Sequence, residues 1–253
     1  VQSRAEMPAL VCALCSLPVL AGALSVQTEL HRDQRRRMTP AGEKRFAELS
    51  SGEWDNSSLS GPGSRPEVCK PFVEFFLKWL DDHKEVQSMV EVSAGHWPSG
   101  WQRFVPWPQI DYTGIDLLES VIEADRDYVK QRGIADIGLH KMTFRKGDML
   151  DDSTMPKADL LFTKDTIIHF PNADIAAFVN STVIQCPPKY KYVMFVHDSR
   201  KRDKRNRDIT RFGEFHGVNL LGAPFNYKAE TIFQWRAKFD NKVRVVQLMD
   251  PAQ

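Results

Sequence analysis

The stretch ADLLFTKDTIIHFPNADI (158–175) decides the fold. Its first six residues, ADLLFT (158–163), form a short apolar run that reads as a strand. Pro171 and Asn172 punctuate the run that follows and open a helix over 172–183, and YVMFV (192–196) is the next strand. Upstream, MVEVSA (89–94), YTGID (112–116) and MTFRKG (142–147) are further β-rich runs, with a helical stretch at 118–131. Before them, Val68, Phe72, Phe75, Phe76, Trp79 and Leu80 recur at helical spacing between Pro66 and Lys84, with Pro66 suited to a first turn. Downstream, ETIFQWR (230–236) and KVRVVQLM (242–249) flank Asp240-Asn241, which reads as an antiparallel hairpin at a sheet edge. Strands alternating with helices in this way predict an α/β fold. Its seven-stranded sheet is mostly parallel, with a C-terminal antiparallel hairpin and helices on both faces.

The composition suits one such core with something appended. The 253 residues are 42% hydrophobic and 26% charged, which excludes disorder as the main state, and the formal charge of +1 creates no global field for nucleic acid or anionic membranes. Residues 7–26 carry no charged side chain and precede a basic cluster from His31 to Arg37. Three readings stay open there: a targeting segment with Ala21-Gly22-Ala23 at a cleavage site, a membrane anchor, or a buried helix. This favours a secretory, organellar or membrane-associated location. Residues 28–65, rich in Ser, Gly, Asn and Pro toward SSLSGPGSRP, read as a polar arm or linker that Phe46 and Trp54 could dock. The expected division is therefore 1–27, 28–65 and an α/β domain over 66–253. The four cysteines are too few and too uneven for a disulfide framework, and Cys12 and Cys15 read as apolar fillers.

In a Rossmann-like sheet, ligands bind beyond the carboxyl ends of the strands, near the switch in strand order. Four tips are therefore of interest. They are Ser93-Ala94-Gly95 and the following His96 to Gly100; Asp116; Gly147-Asp148-Met149; and Lys164-Asp165. A turn containing Gly, an acid about 20 residues later and a further acid form the layout of an adenosine-bearing cofactor site. Asp116 could accept both hydroxyls of a ribose or simply cap the helix after it. Asp148 could meet an adenine amine or cap a turn. Asp165 and His169, four apart, would share a face if helical, as a carboxylate–imidazole pair for proton removal or as a structural hydrogen bond.

VEVSAG (90–95), DYTGIDLLESVI (111–122), FRKGDMLDD (144–152) and above all residues 158–175 together resemble the class I S-adenosylmethionine-dependent methyltransferases over roughly 89–249. The resemblance implies S-adenosylmethionine as cofactor. Its methionine part would lie at Val92, Ser93, Ala94 and Gly95 with Glu91 near the amine, its ribose at Asp116 and Leu117, its adenine beside Asp148 and Met149, and its reactive end at Lys164 and Asp165. NRDITRFGEFHGVNLLGAPFN (206–226) resembles a substrate-side loop of the family, which implies Arg207, Asn219 and Phe225 as acceptor contacts. One departure is plain: where the family has a Gly-x-Gly pair, this chain has Ser93-Ala94-Gly95.

Two functions follow. One is methyl transfer to a small-molecule acceptor, an anionic one included, since seven basic residues face three acids between Asp198 and Arg211. The other is a non-catalytic subunit that keeps the fold for protein or membrane partners. That basic run also reads as a solvated loop, and without interleaved aromatics it argues against nucleic acid. Trp97, Trp101, Phe104 and Trp107 suit a pocket mouth or plain packing, and His96, His197 and His216 form no metal spacing with the cysteines.

Overall fold

The structure, a computed structural model, describes residues 37–53, 59–199, 206–236 and 242–252. The apolar run 7–26, Trp54, most of the basic run and the Asp240-Asn241 turn lie outside the described residues. Seven strands form one sheet: β1 (Ser88–Val92), β2 (Asp111–Asp116), β3 (Lys141–Lys146), β4 (Leu160–Lys164), β5 (Tyr192–Asp198), β6 (Ala229–Arg236) and β7 (Val243–Met249). Their order is β3-β2-β1-β4-β5-β7-β6; β1 to β5 pair parallel, and β7 lies antiparallel to both β5 and β6. This is the predicted sheet. The order reverses between β1 and β4, so their carboxyl ends open a crevice there.

Burial on both faces makes β1, β4, β5 and β7 near-continuous apolar runs, whereas the edge strands β3 and β6 are largely exposed. Met89, Leu160, Phe162, Met194 and Val196 face one layer, while Val90, Val92, Leu161, Val193 and Phe195 face the other. The first layer is built by helix α2 (Pro66–Asp82), whose fully buried Phe72 stacks on Phe76, Phe162 and Trp235 with ring centres 5.4–5.9 Å apart. Helix α3 (Glu119–Arg132) adds Ile122 to it, and the short α4 (Ile134–Ile137) adds Ile134 and Ile137. The second layer is built by α5 (Asn172–Phe178) and its π-helical continuation Val179–Val183, through Ile175, Phe178 and Val179.

Before α2 comes helix α1 (Pro40–Glu48), capped by the Thr39 hydroxyl, which accepts from Gly42 N–H at 3.1 Å. Within the expected polar arm this helix has its own anchor: Phe46 packs 5.7 Å from Phe170 and 6.4 Å from Phe212. Among the described residues no helix is long and apolar enough to cross a membrane.

Candidate functional site

A cavity of about 480 Å³ lies over the carboxyl ends of β1, β2, β3 and β4 and reaches β5 and β7. Twelve residues expected at the site line it: Glu91, Val92, Ser93, Ala94, Gly95, Asp116, Leu117, Asp148, Met149, Lys164, Asp165 and His169. Arg207, Asn219 and Phe225 do not. Arg207 is exposed, the Asn219 side chain accepts from Leu221 N–H within its own turn, and Phe225 is buried in the second layer against Tyr227. The segment was placed by resemblance, which fixes a position in the chain but not the direction of a side chain.

At the tip of β1 the strand stops at Val92 because Ser93 turns into the left-handed region, with φ at +57°, and Gly95 follows at +67°. Ser93 thus stands where glycine is favoured, at a cost of roughly 1 kcal/mol in backbone strain. Ser93→Gly is expected to stabilise the protein by up to ~1 kcal/mol, a rise of ~2–4 °C in a thermal melt. A fall in Tm would show that the Ser93 side chain contributes more than its backbone strain costs.

Asp116 closes this turn from the next strand. Its Oδ2 accepts from Gly95 N–H and its Oδ1 from Leu118 N–H, both at 3.0 Å. The cap role and the cavity position coexist, because each carboxylate oxygen keeps a further lone pair. Burial raises its pKa, partly offset by those backbone donors. Asp148 is similarly engaged: Oδ1 accepts from Leu150 N–H at 2.9 Å, and Oδ2 from Met38 N–H at 2.6 Å, which ties the segment before α1 to the β3 tip.

Beneath the turn, Glu91 is 1% exposed. It accepts from the Tyr112 hydroxyl at 2.5 Å and from Gln102 Nε2 at 3.1 Å, and Gln102 also donates to Ala94 O at 2.7 Å. Burial pushes its carboxyl up to about 8 against these donors. Trp97 continues the network with Nε1 donating to Tyr112 at 3.0 Å, while Asp125 Oδ1 receives Trp97 N–H at 2.8 Å. The tryptophan set resolves accordingly: Trp97, Trp101 and Trp107 are core residues, with Trp101 also on the cavity wall, and Phe104 is exposed.

At the other end, Asp165 is left-handed, with φ at +55°, and a 3-10 turn starts only at Ile167. Residues 165–169 are therefore not one helix, and the expected pairing on a helical face gives way to separate partners. Asp165 pairs with Lys164, whose ammonium also donates to Gly63 O at 2.8 Å. Burial pulls the Lys164 pKa down, but Asp165 beside it leaves the net shift upward. His169 Nδ1 lies 2.9 Å from the Glu214 carbonyl, which fixes the proton on Nδ1 and the lone pair on Nε2. Burial lowers its pKa, so the ring is neutral near pH 7.

Several lining residues carried no sequence signal. Asp198 ends β5, 6% exposed, 3.4 Å from Arg244 Nε and from Lys242 Nζ, with its pKa raised to about 6 mainly by burial. Gln102 sits in a 3-10 turn inside the tryptophan-rich segment after β1, and Leu59 to Ser64 come from the expected linker. Among the described residues no cluster of His, Cys, Asp or Glu could hold a metal ion.

No family model matches the sequence, and no curated protein matches it significantly. Solved structures do match in fold. The bifunctional kinase-methyltransferase WbdD is 12% identical with a TM-score of 0.52, over 72% of this chain and 40% of that one. A structure solved for the conversion of a disulfide bond into a thioacetal group during echinomycin biosynthesis is 12% identical with a TM-score of 0.50, over 83% and 94%. Magnesium protoporphyrin IX methyltransferase from Synechocystis PCC 6803 with bound SAH is 13% identical with a TM-score of 0.49, over 88% and 100%. With the strand order, the match to WbdD supports the class I methyltransferase fold for this chain.

Proposed function

We propose that this protein is an S-adenosylmethionine-dependent methyltransferase that binds its cofactor in the cavity over β1–β4 and acts on a small-molecule acceptor. The observation that carries this reading is Asp116: a carboxylate at the β2 tip, on the cavity wall, bonded to the backbone of the Gly95 turn on the neighbouring strand. It can accept from a ribose while holding the turn beside it. A cavity of about 480 Å³ lies within the usual size of small-molecule sites. Leu117, Leu118 and Met149 offer apolar surface for a base near Asp116. Lys164 and Asp165 offer opposite charges for a zwitterion further along.

The bound cofactor would supply an electrophilic methyl group on its sulfonium. The protein's own contribution is chiefly placement of the acceptor and exclusion of water. His169, neutral with its lone pair on Nε2, is suited to take a proton from an O–H or N–H acceptor, and Asp165 would favour the imidazolium formed. Calorimetric titration with S-adenosylhomocysteine tests the reading. Saturable 1:1 binding is expected; a folded protein that gives no heat with either S-adenosylhomocysteine or S-adenosylmethionine would leave the scaffold role, favoured by Ser93 in the glycine position.

A further inference from the structure

The segment Ser60-Gly61-Pro62-Gly63-Ser64, which reads in sequence as linker, lies on the cavity wall beside the Ser93–Gly95 turn. It is fixed at both ends. At one end Ser60 Oγ accepts from His96 N–H at 2.7 Å, and Leu59 N–H donates to Ser99 Oγ at 3.2 Å. At the other, Gly63 O accepts from Lys164 Nζ at 2.8 Å and from the Cys69 thiol at 3.1 Å. The strap therefore crosses from the turn after β1 to the tip of β4.

Its composition is what that path requires. A β-carbon on Gly95 would stand 2.6 Å from Ser60 Oγ, and one on Gly63 would stand 2.5 Å from Asp165 Oδ2, both closer than real β-carbons approach. Gly61, with φ at +81° and ψ at 169°, holds a conformation open essentially to glycine alone. Three glycines thus bring the strap into contact with the turn and with the Lys164–Asp165 pair. Pro62 and Ser64, whose hydroxyl donates to Ser60 O at 3.2 Å, stiffen it.

The cavity is polarised along this line. Asp116, Leu117, Gly147 and Met149 lie at the β2 and β3 tips, and the charged groups Lys164 and Asp165 lie at the β4 tip. A ligand with a nucleoside at the first end and an amino-acid zwitterion reaching toward the second must pass its amino-acid half under residues 60–64. Resting on the cofactor reading above, we infer that the 60–64 strap is a binding element for the amino-acid half of that cofactor, forming wall beside the Ser93-Ala94-Gly95 turn.

The test compares two ligands that share the nucleoside and thioether but differ in the amino-acid half: S-adenosylhomocysteine, which has it, and 5′-methylthioadenosine, which lacks it. Ser60→Ala removes the acceptor of His96 N–H. Gly63→Ala drives a methyl group against Asp165 and loosens the Lys164 latch. Each variant, once shown to melt cooperatively, is expected to weaken S-adenosylhomocysteine binding about tenfold and 5′-methylthioadenosine binding less than twofold. Unchanged affinity for both ligands in both variants overturns the inference, as does an equal loss for both ligands, which would mean that the strap only supports the fold. A wild-type protein that binds neither ligand defeats the cofactor reading itself, and the role of the strap falls with it. Wild-type binding with indifferent strap variants defeats the strap alone.

Discussion

Asp116→Ala is expected to cost about a hundredfold in S-adenosylhomocysteine affinity, close to 3 kcal/mol at the usual conversion. The size comes from two losses at one side chain. Hydrogen bonds from ligand hydroxyls to a carboxylate are each worth ~1.5–3 kcal/mol. The variant also removes the acceptor of Gly95 N–H at 3.0 Å, so the turn at φ +67° loses the bond that holds it against β2. Asp116→Asn separates the two. Its carbonyl oxygen can replace one acceptor but its amide cannot replace the other, so an intermediate loss of about tenfold is expected from a single bond of this kind. Calorimetry with denaturant melts on the same preparations decides between the roles. Affinity unchanged while stability falls would make Asp116 a cap for the turn and for Leu118, and nothing more.

The inner strands were legible because both of their faces are packed, so hydrophobicity alone marked Leu160 and Phe162 in one layer and Val90, Leu161 and Phe195 in the other as core. The strand-tip residues were legible for a related reason: a parallel sheet fixes where its carboxyl ends lie, and Asp116 and Lys164 are the last residues of β2 and β4. What failed to show in sequence was direction. A spacing of four suggested that Asp165 and His169 share a helical face, yet one left-handed residue at Asp165 breaks that geometry. The same limitation holds for 206–226, where Gly213 and Phe215 line the cavity while Phe225 is turned into the second layer. Ser60 to Ser64 were read as linker because glycine, proline and serine mark both a solvated spacer and a backbone that must pass close to another, and only contacts such as His96 N–H to Ser60 Oγ tell them apart.

Glu91 gives the largest expected dependence on pH. Its carboxyl titrates at about 8 in the folded protein against 4.5 ordinarily, because burial outweighs the donors Tyr112 and Gln102. Between those values the folded chain keeps a proton that the unfolded chain releases, so rising pH favours unfolding across the window, and above about 8 the folded group ionises too and the loss ends. A displacement of this size corresponds to several kcal/mol, at about 1.4 kcal/mol per unit of pKa. Asp125, raised to about 8 by burial as well, acts in the same direction. His197, whose buried ring has a lowered pKa, acts in the opposite one, destabilising the fold as pH falls through about 6.5. The difference between wild type and Glu91→Gln therefore isolates Glu91, since the amide mimics the protonated acid and cannot titrate. In denaturant titrations the two proteins should be nearly equal in stability at pH 5, with the variant more stable by several kcal/mol at pH 8.5. Parallel profiles would mean that Glu91 stays ionised in the fold, held by Tyr112 and Gln102, and so presents a negative charge at the cavity for a cationic amine rather than a neutral acid beneath the turn.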